Sequence, residues 1–238
     1  MGTGNEMADF WDKRAAENAY FFVDNRVDYE SPDTERFWSR GEEDLATLLE
    51  VAGAEIGSGN DVVEIGCGLG RLTRGLAARG ATVRALDVSG EMLQQAQQLN
   101  PGLDNVTWIH GDGASLTGID TDSADACVSH VVFQHVPDPA ITMSYVTEMG
   151  RILRPGGWSA FQVSNDPSVH SPSLLRRLKM WRADRKSRAA SGQRHPNWLG
   201  SAVSLPELER TAHEAGLEVA HVEGEGTQYC VVRLVRPA

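Results

Sequence analysis

The chain of 238 residues is poor in several things. It has three cysteines, Cys67, Cys127 and Cys230. That is too few for a disulfide framework, and an odd count suits a reducing compartment, so a cytoplasmic location is expected. No stretch approaches the roughly 18 apolar residues of a membrane span. The first twenty residues have no basic stretch followed by an apolar one, which argues against a signal peptide. Positive charge is also short: 22 Lys and Arg stand against 33 Asp and Glu, a net charge of −11. A general polyanion binder would carry the opposite balance, so nucleic acid is an unexpected partner. The shortage is uneven, however. Residues 176–194 hold eight basic residues against Asp184 alone. That segment is +7, leaving −18 for the remainder. With 41% hydrophobic residues, the chain can bury a core without metal or disulfide staples.

What is present is an alternation of elements. Residues 6–19 and 33–52 read as helices, the second with Phe37, Leu45, Leu48 and Leu49 at helical spacing. Residues 61–65 form an apolar run ending in glycines, a buried-strand signal. Residues 71–79 read as a helix stopped by Gly80, and 82–86 as a strand. Ser89 can cap a helix reaching about Leu99. Strands follow at 106–109 and 124–131, then a helix with Asp138 as N-cap and Pro139 inside it. Pro155-Gly156-Gly157 reads as a turn before a strand at 158–163. Ser204 and Glu207 have capping-box spacing, and Gly216 closes that helix. Two last strands, 217–222 and 228–235, are separated by a glycine-rich loop and are expected to pair antiparallel. Repeated strand–helix units predict an α/β fold with a mostly parallel sheet and helices on both faces. Ligands of such sheets bind at the carboxyl ends of the strands.

Three of those ends carry acids or glycines. The first strand leads into Glu64-Ile65-Gly66-Cys67-Gly68-Leu69-Gly70-Arg71. Glycines there permit a tight turn and close approach of a ligand to the backbone. The third glycine arrives one residue earlier than in the G-x-G-x-x-G dinucleotide pattern, and Arg71 follows it, which disfavours a nicotinamide oxidoreductase. Asp87 ends the second strand, 21 residues past Gly66, where an acid can accept both hydroxyls of a ribose. Asp112 follows the third strand, where a carboxylate can accept from an adenine amino group; an Asp-Gly turn is the plainer reading. His135, with Gln134 beside it, follows the fourth strand and is the candidate general base, or else a structural hydrogen-bonding histidine.

The runs VVEIGCGLGR, ALDVSGEML, HGDGASL, ADACVSHVVFQHVPDP and EMGRILRPGGWSAFQV, in this order, resemble the successive motifs of class I S-adenosylmethionine (SAM) dependent methyltransferases of the UbiE-like, small-molecule type. The resemblance implies a Rossmann-like, seven-stranded sheet whose last strand is antiparallel. It implies that Gly66, Gly68 and Gly70 flank the methionine part of the cofactor, and that Asp87 holds the ribose. Val88 and Met92 would pack at the adenine and Asp112 would bind its amino group. It also carries Glu64, Cys67, Gly113 and Ala114 to the cofactor site, with the His130 backbone facing the cofactor amino group. Residues 1–52 would form a helical lid bearing Trp11 and Tyr20 over the methionine end. Residues 53–238 would form the methyltransferase domain, with a substrate-covering insertion at about 164–203 holding Trp181, His195 and Trp198.

The expected activity is transfer of a methyl group from SAM to an O or N atom of a small molecule, with S-adenosylhomocysteine as product. A secondary metabolite is one such acceptor, and the basic segment makes an anionic one attractive. A peptide or protein methyltransferase with an acidic substrate, and a non-catalytic SAM-fold binding protein, are the alternatives. No acid cluster after the fourth strand suggests a metal, so none is expected. The acceptor's identity, the O, N or C specificity and the oligomeric state stay open.

Overall fold

A computed structural model describes residues 3–170 and 195–238. Seven strands form one sheet: β1 (Asp61–Ile65), β2 (Thr82–Asp87), β3 (Val106–His110), β4 (Ala124–Ser129), β5 (Leu153–Val163), β6 (Glu218–Glu223) and β7 (Cys230–Val235). Their order is β3-β2-β1-β4-β5-β7-β6. Pairings through β5 are parallel, and β7 runs antiparallel to both neighbours. The chain order reverses between β1 and β4. That is the switch point at which such sheets leave a crevice above their strand ends.

The helices are α1 (Thr3–Val23), α2 (Thr34–Ala52), α3 (Arg71–Ala78), α4 (Gly90–Leu99), α5 (Pro139–Ile152), α6 (Pro167–His170), α7 (Pro196–Leu199) and α8 (Leu205–Glu214). Because side chains alternate across a strand, neighbouring strand residues go to different cores. Val62, Ala126 and Val128 join Leu45, Leu48 and Leu49 of α2 and Leu72 and Leu76 of α3. Val63, Cys127 and Phe161 join Val146 and Met149 of α5 and Leu208 of α8 on the other face. A third cluster ties Phe21 and Phe22 of α1 to Phe37 of α2 and Leu69 of the glycine loop. Thus α2 shares a core with the sheet, and within residues 1–52 it is α1 that contributes the cavity-lining side chains described below.

Local chemistry explains most helix ends. The Asp33 carboxylate accepts the Arg36 N–H at 2.9 Å, and Gly53 closes α2 with φ +59°. The Ser89 hydroxyl accepts the Met92 N–H at 3.0 Å, and Asp138 accepts the Ala140 N–H at 2.9 Å. Three expectations need correction. The Ser204 side chain makes no capping bond, so the capping box is not formed. The residues Pro155-Gly156-Gly157 lie inside a strand that begins at Leu153. There the register against β4 shifts between Ala124 and Ala126, and the Arg236 and Gly156–Gly157 backbones exchange two bonds of 2.9 Å. Finally, α1 is broken at Asn18 (φ −168°, ψ 82°). The side-chain oxygen of Asn18 accepts the Phe21 N–H at 3.2 Å and its amide donates to the Tyr29 carbonyl at 2.7 Å. This restarts the helix in a new direction.

Candidate active site

A cavity opens above the carboxyl ends of β1, β2 and β4. Its floor is the first part of the glycine loop, Gly66, Cys67 and Gly68. Gly66, Gly68 and Gly70 all have positive φ (+74°, +53° and +86°). A Cβ at Gly66 would collide with Val132, one at Gly68 would lie 2.9 Å from Val23, and one at Gly70 2.7 Å from the Trp108 ring. Only glycine meets both the torsion and the space. The Asp87 carboxylate braces this loop. One oxygen accepts the Gly68 N–H at 2.8 Å and the other the Ser89 N–H at 2.9 Å. A carboxylate has about four lone-pair sites, so acceptor capacity is left over toward the cavity it lines. Burial raises the Asp87 pKa, against the pull of those N–H groups.

Glu64, also in the wall, is buried and accepts the Thr73 hydroxyl at 2.6 Å; burial pushes its pKa up to about 7. Val88, Met92, Gly111 and Gly113 line the side near β2 and β3. Asp112 and Ala114 are not in the wall. The Asp112 carboxylate is turned into its own loop, accepting the Ala114 N–H at 2.9 Å, the Ser115 N–H at 2.7 Å and the Ser115 hydroxyl at 2.6 Å. Burial alone would raise its pKa, but these bonds hold it below the usual value.

The opposite wall is His130-Val131-Val132. Val131 has φ +58°, an uncommon torsion for a β-branched residue, and it sits where such strain usually clusters. Phe133–His135 form one 3-10 turn. The Gln162 side-chain amide donates both to the Gln228 carbonyl at 3.0 Å and to the Gln134 side-chain oxygen at 2.9 Å. That turns the Gln134 amide toward His135 Nε2, 3.2 Å away. His135 Nδ1 donates to the Trp198 carbonyl at 2.6 Å, which leaves Nε2 as the acceptor. Burial lowers the His135 pKa to about 4, so the ring is neutral at pH 7. His130 is likewise lowered to about 4 by burial.

The roof comes from α1, through Met7, Trp11, Phe22 and Val23. Trp11 meets His135 edge to face at 5.6 Å, and Trp198 lies 5.0 Å from the same imidazole. His195 caps α7 and stacks on Phe10 at 4.5 Å. His170 joins the Leu199 carbonyl and the Ser164 hydroxyl, holding α6 against α7. Tyr20 lies outside the cavity. Its ring packs edge-on against Phe37 at 4.9 Å because the break at Asn18 carries it toward α2. Trp181 and residues 176–194 fall outside the described residues.

The structure therefore gathers Trp11, Glu64, Gly66, Cys67, Gly68, Asp87, Val88, Met92, Gly113, His130 and His135 around one cavity. Gly70 and Gln134 stand behind the wall, Gly70 in the loop turn and Gln134 in the amide chain. Sequence reasoning passed over Arg71, Val132 and Tyr145 as wall residues. Arg71 follows the glycine loop directly and could have been found. Tyr145 is brought in by α5 from the far side of the sheet, which no local pattern announces. Among the described residues, no group of three or more His, Cys, Asp or Glu could hold a metal ion.

Comparison with known proteins decides the family. A family model described as a methyltransferase domain matches residues 63–161. A ubiquinone biosynthesis O-methyltransferase from Methylococcus capsulatus is 30% identical over 178 residues, which cover 71% of this chain and 68% of the relative. The chain belongs to the class I SAM-dependent methyltransferases. A second ubiquinone biosynthesis O-methyltransferase, from Paracidovorax citrulli, is 33% identical over 109 residues. There the match spans 45% of this methyltransferase and 44% of the relative. The fold also matches the methyltransferase solved in complex with the Haloferax volcanii Trm112 methyltransferase activator. The TM-score is 0.63 and the identity 22%, over 92% of this chain and 97% of that one.

This methyltransferase uses SAM as its cofactor and leaves S-adenosylhomocysteine. The cavity fits that group. Asp87 keeps acceptor capacity for a diol, the slot beside Val88 and Met92 is apolar, and Gly66 and Gly68 bring bare backbone to the cavity wall.

Proposed function

We propose that the acceptor is a small molecule methylated on oxygen or nitrogen, with oxygen favoured, at the end of the cavity roofed by Trp11 and Phe22. The observation that carries this reading is the aromatic enclosure of that end by Trp11, Phe22 and His135, with Trp198 packed against both Trp11 and Phe22. An aromatic chamber suits a compact acceptor and keeps water from the reacting centre. The curated relatives named above, both O-methyltransferases by name, support oxygen.

Bound SAM supplies an electrophilic methyl group on a sulfonium. The chain's own residues bind, orient and exclude water. Asp87 would accept the ribose hydroxyls, and Val88 and Met92 would flank the adenine. Asp112 would act through the loop it orders, which presents Gly113 and continues through Ala114. Gly66, Cys67, Gly68 and Gly70 would shape the floor under the methionine part, with Glu64 beneath it and the His130 backbone facing it. Tyr20 would act only from behind, by packing the second half of α1 onto α2. In this reading the lid is α1 together with the parts of 164–203 that bear α6 and α7.

His135 and Gln134 belong to positioning. An imidazole whose pKa is about 4 is a weak base for a hydroxyl. Its two ring nitrogens instead join the Trp198 carbonyl to the Gln134–Gln162 amide chain. His135→Asn keeps a donor where Nδ1 stands and removes the base. We expect it to retain turnover within about tenfold, whereas loss of a true general base costs roughly 10²–10⁴-fold. A rate falling by that larger amount, with SAM affinity unchanged, restores the base role.

The basic segment supports an anionic acceptor. Raising salt from about 0.05 to about 0.5 M should raise the acceptor KM and leave SAM affinity nearly unchanged, because screening weakens attraction between exposed charges. An acceptor KM indifferent to salt removes the anionic reading. Labelled-methyl transfer to panels of phenols, carboxylic acids and amines, with acidic peptides as the competing class, would find the acceptor. Transfer only to the peptides would overturn the small-molecule reading. Three buried, unpaired cysteines suit a reducing compartment such as the cytoplasm. No helix among the described residues is long and apolar enough to cross a membrane.

A further inference from the structure

Tyr145 of α5 lines the cavity with only 8% of its surface exposed. Two contacts fix its place. Its ring meets Phe133 edge to face at 5.5 Å. One and two turns further along the same face of α5, Glu148 and Arg151 hold the loop that follows β3. Glu148 accepts the Leu116 N–H at 3.1 Å, and Arg151 donates to the Leu116 and Ile119 carbonyls at 3.2 and 2.8 Å. Helix and loop thus run side by side in the same direction, and one turn back from Glu148 brings Tyr145 level with the start of the loop, at Asp112 and Gly113. Val88 and Ala114 pack against the core cluster to which Tyr145 belongs. Tyr145 therefore borders the slot formed by Val88, Met92 and Gly113.

The hydroxyl placed there is unspent. A buried phenol ordinarily finds a partner for its O–H. Tyr145 has no hydrogen bond to any of the described residues, and its oxygen is not sealed within the protein. The two nearby acids are engaged elsewhere. Asp87 holds the Gly68 and Ser89 N–H groups, and Asp112 holds the Ala114 N–H with the Ser115 N–H and hydroxyl. Burial, with the charges of Asp112 and Asp87, pushes the phenol up, so it is a protonated donor at pH 7. A free donor at the rim of an apolar slot suits a flat ligand with a polar edge.

We propose that the Tyr145 hydroxyl donates to a ring nitrogen of the adenine, so that the base is read by a side chain from α5 and not only by the loops at the strand ends. The Asp112 carboxylate, turned into its own loop, leaves the edge beside Gly113 to this donor. A site built around such a bond discriminates against a base that lacks the acceptor, because the buried hydroxyl is then left unpaired. This inference rests on the cofactor placement proposed above.

The test is calorimetric titration of the wild type and Tyr145→Phe with S-adenosylhomocysteine and with its 1-deaza, 3-deaza and 7-deaza analogues. Each analogue has one ring nitrogen replaced by C–H. Tyr145→Phe keeps the ring against Phe133, so the fold is retained, and thermal melting checks this. It should weaken S-adenosylhomocysteine about 5- to 20-fold, as expected when a hydrogen bond is lost and its partner stays buried. One analogue, lacking the nitrogen that accepts, should bind wild type and variant within about twofold of each other by the same reckoning. The other two should keep the full difference between the proteins. An equal loss for all four ligands would make Tyr145 a support of the slot's shape and overturn the proposal. So would a variant that binds S-adenosylhomocysteine as the wild type does. Wild-type protein binding none of the four would instead overturn the cofactor placement beneath it.

Discussion

Asp87 shows how much a single side chain can do when its lone pairs are counted. It spends one oxygen on the Gly68 N–H and the other on the Ser89 N–H. The glycine loop and the start of α4 are thereby held to one group. Asp87→Ala should weaken S-adenosylhomocysteine at least tenfold by titration, since hydrogen bonds to a charged partner contribute about 1.5–3 kcal/mol. His135 gives a second prediction at this scale. Its pKa in the fold, about 4, lies below the model-peptide value, so the unfolded chain binds the proton more readily. Stability from this group is complete above the unfolded value and is lost as pH falls toward about 4. Glu64, raised to about 7, has the opposite sign: its contribution is complete at low pH and is lost as pH rises through neutrality. The two partly cancel in the wild type, so the variant difference is the useful measurement. Urea unfolding at pH 7 and pH 5 should show a smaller loss of stability on acidification for His135→Asn than for the wild type.

At the scale of elements, α1 is held at both ends. Asp12 accepts the Ser89 hydroxyl at 2.6 Å and the Glu91 N–H at 3.1 Å, fastening the front of the helix to α4. Beyond the helix, Arg26 fastens the following loop to Asp44 of α2. Asp12→Ala should cost roughly 0.5–1.5 kcal/mol for each bond lost, and speed amide hydrogen exchange across residues 5–17 while the sheet stays protected. Many of these elements were legible in the sequence. The strand β1 was plain because Val62, Val63 and Ile65 form an unbroken apolar run, and α4 because Ser89 stands one residue before it. The break at Asn18 was not, because it depends on the Tyr29 carbonyl eleven residues away. The inactive capping box at Ser204 shows the converse, a correct local pattern whose bond does not form. Within the site, glycines and strand-end acids were readable because backbone geometry demands them. The lining role of Tyr145 and the inward turn of Asp112 are set by packing and by Ser115, and composition does not report either.

For the molecule as a whole, α1, α2 and the glycine loop meet at Phe37. It is fully buried, touches the α1 aromatics through Tyr20, and lies under Arg71. Phe37→Ala should cost about 3–5 kcal/mol in chemical denaturation, the range for a large cavity in a core. It should also weaken cofactor binding, because the same ring packs with Phe22 of α1 and Leu69 of the glycine loop, which border the cavity. The three cysteines lead somewhere more practical. Cys67, Cys127 and Cys230 are all buried and free, and burial raises all three thiols, Cys127 to about 12. Thiolate is the reactive form, so we expect all three to be alkylated slowly in the folded protein. One cysteine placed at the exposed Ala16 of α1 would therefore take a maleimide dye alone. With the native thiols silent, as mass spectrometry after labelling the wild type would check, α1 can be watched one molecule at a time.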